Sequence, residues 1–188
     1  MTLAGDGGPV SGVTVRRVVA ADWSELRRLR LAALADTPIA YLETLAEAEL
    51  LPDSAWQVRV ARGAEGGDSL QVLALDGDRA VGTSVSFTSD GRAWLAAVYL
   101  DPAWRGRGLL GRLLQPCAAW AWAHGFDQLA LEVHEDNPRA QAAYARLGFG
   151  VTGVRRPYPL DPTREEREMV LVLPSTLPPG AGDDSVRS

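Results

Sequence analysis

The chain has 188 residues, 46% of them hydrophobic, and a formal net charge of −5 at pH 7. That length suits one domain with a sizeable core, and the acidic balance, with a pI near 5.1, argues against nucleic acid or an anionic membrane as the main partner. A single cysteine permits no internal disulfide, as in a reducing cytoplasm, and no apolar run is long enough to span a bilayer or follows a basic leader.

In chain order, residues 1–12 are rich in Gly and predict a disordered segment. Residues 13–19 read as the first strand, and Asp22 and Glu25 have capping-box spacing ahead of a helix through Leu26, Leu29 and Leu34. Thr37-Pro38 ends that helix, residues 41–50 predict a second, shorter one, and Asp53-Ser54 cap a third that carries Trp56 and Val60. Strands follow at 69–75 and 79–88, joined at Asp76-Gly77-Asp78, with a second tight turn at Ser89-Asp90-Gly91. The strand at 93–100 is apolar on both faces, which places it in the middle of a sheet covered by helices on either side.

A loop rich in Arg and Gly then feeds a helix that starts at Leu109, contains Pro116 and stops at His124-Gly125. Residues 128–134 alternate, with Leu129, Leu131 and Val133 on one face and Ala130, Glu132 and His134 on the other. Asp136 or Asn137 caps a short helix with Pro138 in its first turn, which ends at Gly148-Phe149. Residues 151–154 and 168–173 supply the last strands, and 174–188 form a flexible tail of Pro, Gly and Ser. The order predicts a single mixed α/β domain over residues 13–173.

Residues 98–114 carry the most information. Gly106 and Gly108 remove side chains where backbone N–H groups must converge, and the first turn of the next helix leaves its own N–H groups unpaired. The result is an anion site at the positive end of a helix dipole, with Arg105 and Arg107 beside it, whose natural guest is a phosphate or pyrophosphate. A P-loop is excluded because the chain contains no Lys, and the Gly106–Gly111 spacing does not fit a dinucleotide fingerprint. A plain glycine-rich turn is the alternative reading.

The pattern Arg/Gln-x-x-Gly-x-Gly/Ala after a strand ending near Asp101-Pro102 resembles the signature of the GCN5-related N-acetyltransferases (the GNAT family). Arg105 and Gly108 match it; Leu110 stands where Gly or Ala is usual. Residues 131–149, with Asn137 (the sole Asn) and Tyr144, resemble the family's second block. The absence of Lys, with one Ile and one Asn, fits GC-rich bacterial coding. The resemblance implies a mixed sheet splayed at an acetyl-CoA site. It implies that the backbone of Val98, Tyr99 and Leu100 meets the thioester and pantetheine, and that residues Arg105, Gly106, Arg107, Gly108, Leu109, Leu110 and Gly111 wrap the pyrophosphate. Asn137 would bond the pantetheine arm, cap its helix, or do both.

Direct acetyl transfer needs a neutral amine, a polarised carbonyl and a proton for the departing thiolate. By resemblance Tyr144 is the general acid, the alternative being a half-buried core tyrosine. Glu132 matches the glutamate that serves as base in ribosomal-protein alanine N-acetyltransferases; the alternatives are an ion pair with a nearby Arg, or His134 as the base. The resemblance implies an acceptor region at 34–56 and 155–164, where Tyr41, Glu43, Trp56 and Tyr158 are candidates. The expected acceptor is a small-molecule primary amine, with a peptide N-terminus second and a catalytically silent acyl-CoA-binding module as the contrasting class. Cys117 reads as core, no metal-ligand spacing is present, and a homodimer is compatible with the chain.

Overall fold

The computed structural model describes residues 12–65 and 67–174. The expected disordered segment and tail lie outside these residues, except for Gly12 and Pro174. Twelve main elements follow in order: β1 (Val13–Arg17), α1 (Trp23–Asp36), α2 (Leu45–Glu49), α3 (Asp53–Glu65), β2 (Ser69–Asp76), β3 (Arg79–Ser89), β4 (Arg92–Leu100), α4 (Leu109–Ala123), β5 (Gln128–His134), α5 (Pro138–Arg146), β6 (Gly150–Tyr158) and β7 (Asp161–Val172). The strands form one sheet in the order β1-β2-β3-β4-β5-β7-β6, antiparallel except for β4 beside β5. β4 is the central strand, as its two apolar faces require.

Each face of the sheet buries its own core. Ala93 and Leu95 of β4 and Leu129, Leu131 and Val133 of β5 pack with Leu109, Leu113, Leu114 and Cys117 of α4. Leu73 and Leu75 of β2 pack on the other face with Leu26, Leu29 and Leu34 of α1 and Trp56 and Val60 of α3. Cys117 is fully buried, and the Ser84 hydroxyl lies 3.2 Å from its sulfur. Burial pushes that thiol up, which makes it an inert packing group.

The local chemistry shows why some elements differ from the sequence expectation. Asp22 and Glu25 form no capping box at α1. The Asp22 carboxylate is taken by Arg16 and the Val19 amide, and Glu25 binds Arg28 and the Ala80 amide. The second helix begins at Leu45, not at 41, because the capping box forms at Thr44: its Oγ1 accepts the Glu47 amide while Glu47 accepts the Thr44 amide. Residues before it make a 3₁₀ turn, Pro38–Ala40, and leave Tyr41 extended. The first strand ends at Arg17, before a 3₁₀ turn at Ala20–Asp22. β6 and β7 run well beyond 151–154 and 168–173. Their extra length is polar and held by cross-strand charge pairs such as Arg155 with Glu165, 2.9 Å apart, so hydropathy alone does not reveal it.

α3 approaches β2 closely at Gly63, where a Cβ would stand 2.5 Å from the Cβ of Gln71. Alanine is the better helix former by about 1 kcal/mol. The clash nevertheless wins: overpacking at a Cβ–Cβ contact costs about 3 kcal/mol, so Gly63→Ala should lower stability by about 2 kcal/mol in urea denaturation. A variant as stable as the parent would show that this contact is slack.

Candidate active site

The site begins with a fault in the sheet. Thr83 of β3 faces Tyr99 and Val85 faces Ala96, so three steps on β4 oppose two on β3. This is a β-bulge, and Ala97 takes φ +50° there, a left-handed conformation that L side chains adopt only where the surroundings enforce it. The bulge turns β4 away from β5. Among the described residues the two strands pair only at Ala93 with Leu129 and Trp94 with Ala130. Past that point the β5 side of β4 has no strand partner, and buried backbone N–H and C=O groups require one.

A cleft of about 750 Å³ occupies the split, a size typical of ligand sites. Val98, Tyr99 and Leu100 line one wall, Glu132 and His134 the other, and Asn137 and Tyr144 face in from α5. Arg105, Gly106 and Leu110 lie at the loop end. Strand alternation sorts these groups by face. Leu129, Leu131 and Val133 enter the α4 core, and Tyr144 packs against that same cluster. Glu132 and His134 therefore emerge on the opposite face, the one α1 and α3 cover further along the sheet. Phenol and carboxylate stand on opposite sides of the split.

The loop carries Gly106 at φ +73° and Gly108 at φ +75°, with Gly108 as the N-cap of α4. A Cβ on Gly106 would meet nothing within 4 Å, so glycine is required there by the dihedral and not by space. The Leu109 side chain and Gly111 are buried on the core side of α4, which leaves their backbone as the part available to the loop. Arg107 is exposed and lies 5.5 Å from the Trp104 ring centroid. The Arg105 guanidinium is committed to the protein. Its Nε donates to the Leu100 carbonyl at 3.0 Å, and its terminal nitrogens pair with Asp36 of α1. It fastens the loop to β4 and α1 with its charge balanced. The cations sequence reasoning missed are Arg139 and Arg146 of α5, which also line the cleft. Their seven-residue spacing on one helix face is the only signal they give, and it looks like an ordinary solvated face.

Asn137 is 8% exposed, and its Oδ1 accepts the Ala140 amide at 3.1 Å. The cap is thus real, and the Nδ2 group is left without a protein partner among the described residues. The Tyr144 ring packs 5.6 Å from Phe149, and its hydroxyl has no hydrogen-bond partner among the described residues. Burial pushes its phenol well above the ordinary range, and nearby Tyr41 adds to the effect. Glu132 is ion-paired: a terminal nitrogen of Arg156 donates to its carboxylate at 2.8 Å. Arg156 and Arg92 also hold Glu168, whose carboxyl the Arg92 hydrogen bond keeps below the usual carboxylate range. His134 is 4% exposed, with its Nδ1 accepting the Asp136 amide at 3.1 Å and Tyr158 edge-on to its ring.

Of the remaining acceptor candidates, Trp56 is in the α1–α3 core and Glu43 is tied to Arg30 and Arg59. Tyr41 lines the cleft and bridges its arms. Its hydroxyl donates to the Val98 carbonyl on β4 at 3.3 Å, and its own carbonyl accepts from the Tyr158 hydroxyl on β6 at 2.8 Å. Among the described residues no group of His, Cys, Asp and Glu could hold a metal, and no helix is long and apolar enough to cross a membrane.

An open strand edge, two left-handed glycines before a helix and a ligand-sized cleft fit a long ligand with amides at one end and a pyrophosphate at the other. The model of the acetyltransferase (GNAT) family matches residues 27–149. The chain belongs to the GNAT family, and it is an N-acetyltransferase that takes its acetyl group from acetyl-CoA. It is 26% identical over 127 residues to the [ribosomal protein bS18]-alanine N-acetyltransferase of Haemophilus ducreyi, covering 67% of this chain and 86% of that protein. The structure of yncA from Salmonella typhimurium with its cofactor acetyl-CoA superposes with a TM-score of 0.70 at 19% identity, over 92% of this chain and all of that one. The ribosomal-protein-S18-alanine N-acetyltransferase of Escherichia coli gives 0.60 at 18% identity, over 87% and 96% of the two chains.

Gly108→Asp puts a side chain and a negative charge at the head of α4. Coenzyme A affinity measured by calorimetry should fall at least ~10-fold, about 1.4 kcal/mol. Unchanged affinity in the folded variant would place the pyrophosphate elsewhere.

Proposed function

We propose that this enzyme moves an acetyl group from acetyl-CoA directly to a slender primary amine, small-molecule in the first instance, with Tyr144 as the general acid. The observation that carries the acceptor class is the Tyr41 bridge. It joins β4 to β6 beside the cleft that Glu132 also lines, and an arch of that kind would favour an amine on a thin chain. A peptide N-terminus in extended form is the second reading, favoured by the likeness to an enzyme named for the alanine of ribosomal protein bS18. Such an acceptor would thread the same arch.

The bound thioester supplies an activated acetyl group; the chain supplies orientation and proton management. The edge of β4 that β5 leaves, at Val98, Tyr99 and Leu100, meets the pantetheine amides and carbonyl, and Nδ2 of Asn137 donates to the same arm. The loop from Arg105 through Gly106, Arg107, Gly108, Leu109 and Leu110 to Gly111 wraps the pyrophosphate with its amides, with Arg139 and Arg146 adding positive charge. Tyr144 stays protonated well above neutral pH, which keeps its O–H ready for the leaving sulfur. Glu132, held by Arg156, lends negative potential to the side from which an ammonium arrives.

A panel of amines and short peptides, with thiol release followed in the presence of acetyl-CoA, separates these readings. Transfer to peptides alone would reverse their order, and binding of acetyl-CoA without transfer to any of them would favour a silent module. Tyr144→Phe keeps the ring and deletes the hydroxyl. Turnover should drop roughly 10²-fold with little change in acetyl-CoA affinity, and near-parental turnover would return Tyr144 to a packing role.

A further inference from the structure

Three groups on the acceptor side have the chemistry to take a proton from an ammonium, and their surroundings separate them. Protonating Glu132 would discharge its pair with Arg156 at 2.8 Å. His134 uses the Nδ1 lone pair to accept the Asp136 amide, so the neutral ring carries its proton on Nε2 and offers the cleft a donor. Glu166 is the third. It stands on β7 directly across from His134 of β5 and from Arg156 of β6. It is half-buried and lines the cleft. Among the described residues its carboxylate has neither a hydrogen bond nor an ion pair.

The groups facing Glu166 are committed elsewhere. Arg156 holds Glu132 and Glu168, Arg92 holds Glu168, and Arg164 holds Glu135 and Asp136. The Tyr158 hydroxyl donates to Tyr41. Glu132 is the diagonal neighbour on the same sheet face and repels a second negative charge. Burial raises the Glu166 carboxyl above its ordinary value, and the Glu132 charge raises it further.

Resting on the acetyl-transfer reading above, we propose that Glu166 is the general base, accepting a proton from an acceptor that arrives as a cationic primary amine. The ammonium gives one proton to the Glu166 carboxylate. The nitrogen lone pair so freed forms the C–N bond as the C–S bond breaks, and Tyr144 protonates the sulfur. The nitrogen returns a second proton to the Tyr144 oxygen and keeps its third as the amide N–H. Glu166 then loses its proton to solvent, the one proton released per turnover. Glu166 works only when ionised, so the rate rises with pH through its pKa, and the acidic limb lies above that of an ordinary glutamate.

The test compares the parent enzyme with Glu166→Gln, Glu166→Asp and Glu132→Gln, using acetyl-CoA with tyramine, spermidine or an alanine-initiated tripeptide across pH. Glu166→Gln should lower kcat roughly 10²-fold at neutral pH and abolish the acidic limb, with coenzyme A affinity unchanged. Glu166→Asp should restore a displaced limb. Glu132→Gln should keep the limb and move it to lower pH, because it removes the like charge and frees Arg156. A carboxyl ¹³C NMR titration, assigned with Glu166→Gln, reads the group without any acceptor. An acidic limb unchanged in Glu166→Gln, or a Glu166 midpoint at or below about 4.3, overturns the assignment. A folded parent enzyme that binds coenzyme A but acetylates none of the three acceptors overturns the activity reading, and the proposal with it.

Discussion

Past Trp94, β4 keeps β3 along one edge and loses β5 along the other, and the bulge at Ala97 lies where β5 departs. Every other part of the site follows from that parting. The split supplies an open strand edge, aims the end of β4 at the glycine loop, and lets groups from both faces of the sheet meet in one cleft. The strained Ala97 conformation costs of order 1–3 kcal/mol, a sum that two helix-backed cores can carry. The α4 cluster packs against both strands along their length, from Ala93 and Leu129 to Leu100 and Val133.

Charge organises the arm that swings away. Arg92 of β4, Glu168 of β7, Arg156 of β6 and Glu132 of β5 form an alternating ladder across four strands. Exposed ion pairs add little stability singly. Glu168, however, is only 4% exposed, and removing one partner of a buried charge is expensive. The ladder therefore fixes register more than it adds stability, and it decides which carboxylates in the cleft have a cationic partner. Glu166 is outside it.

Much of this was legible in the residues. The glycine loop ahead of α4, the central position of β4, the β5 alternation and the Asn137 cap each rest on local rules, and local rules survive folding. Glycine at 106 and 108 is a statement about φ that only the backbone has to honour. What escaped was set by tertiary geometry. Arg105, expected to place fixed charge beside the anion site, spends that charge on Asp36, 69 positions away, a partner that spacing does not reveal. The capping box at Asp22 and Glu25 failed because Arg16, Val19, Arg28 and Ala80 competed for the same oxygens. Hydropathy shows only the apolar end of β7, since its charged half pairs with β6 by opposite charge. Glu166 sits in that unread half, and nothing in the run Arg164-Glu165-Glu166-Arg167 marks one glutamate as different from the other.

The phenol of Tyr41 occupies the Val98 carbonyl through a bond of 3.3 Å, long for an O–H donor. Where an incoming amide takes the place of the phenol at that carbonyl, the count of hydrogen bonds there is conserved and the event is an exchange. Affinity gained at this position is then the difference between two donors, smaller than a fresh bond to a bare oxygen would give. The backbone carbonyl of Tyr41 keeps the Tyr158 hydroxyl whichever donor holds Val98, so the residue stays anchored to β6 while its ring gives up one partner.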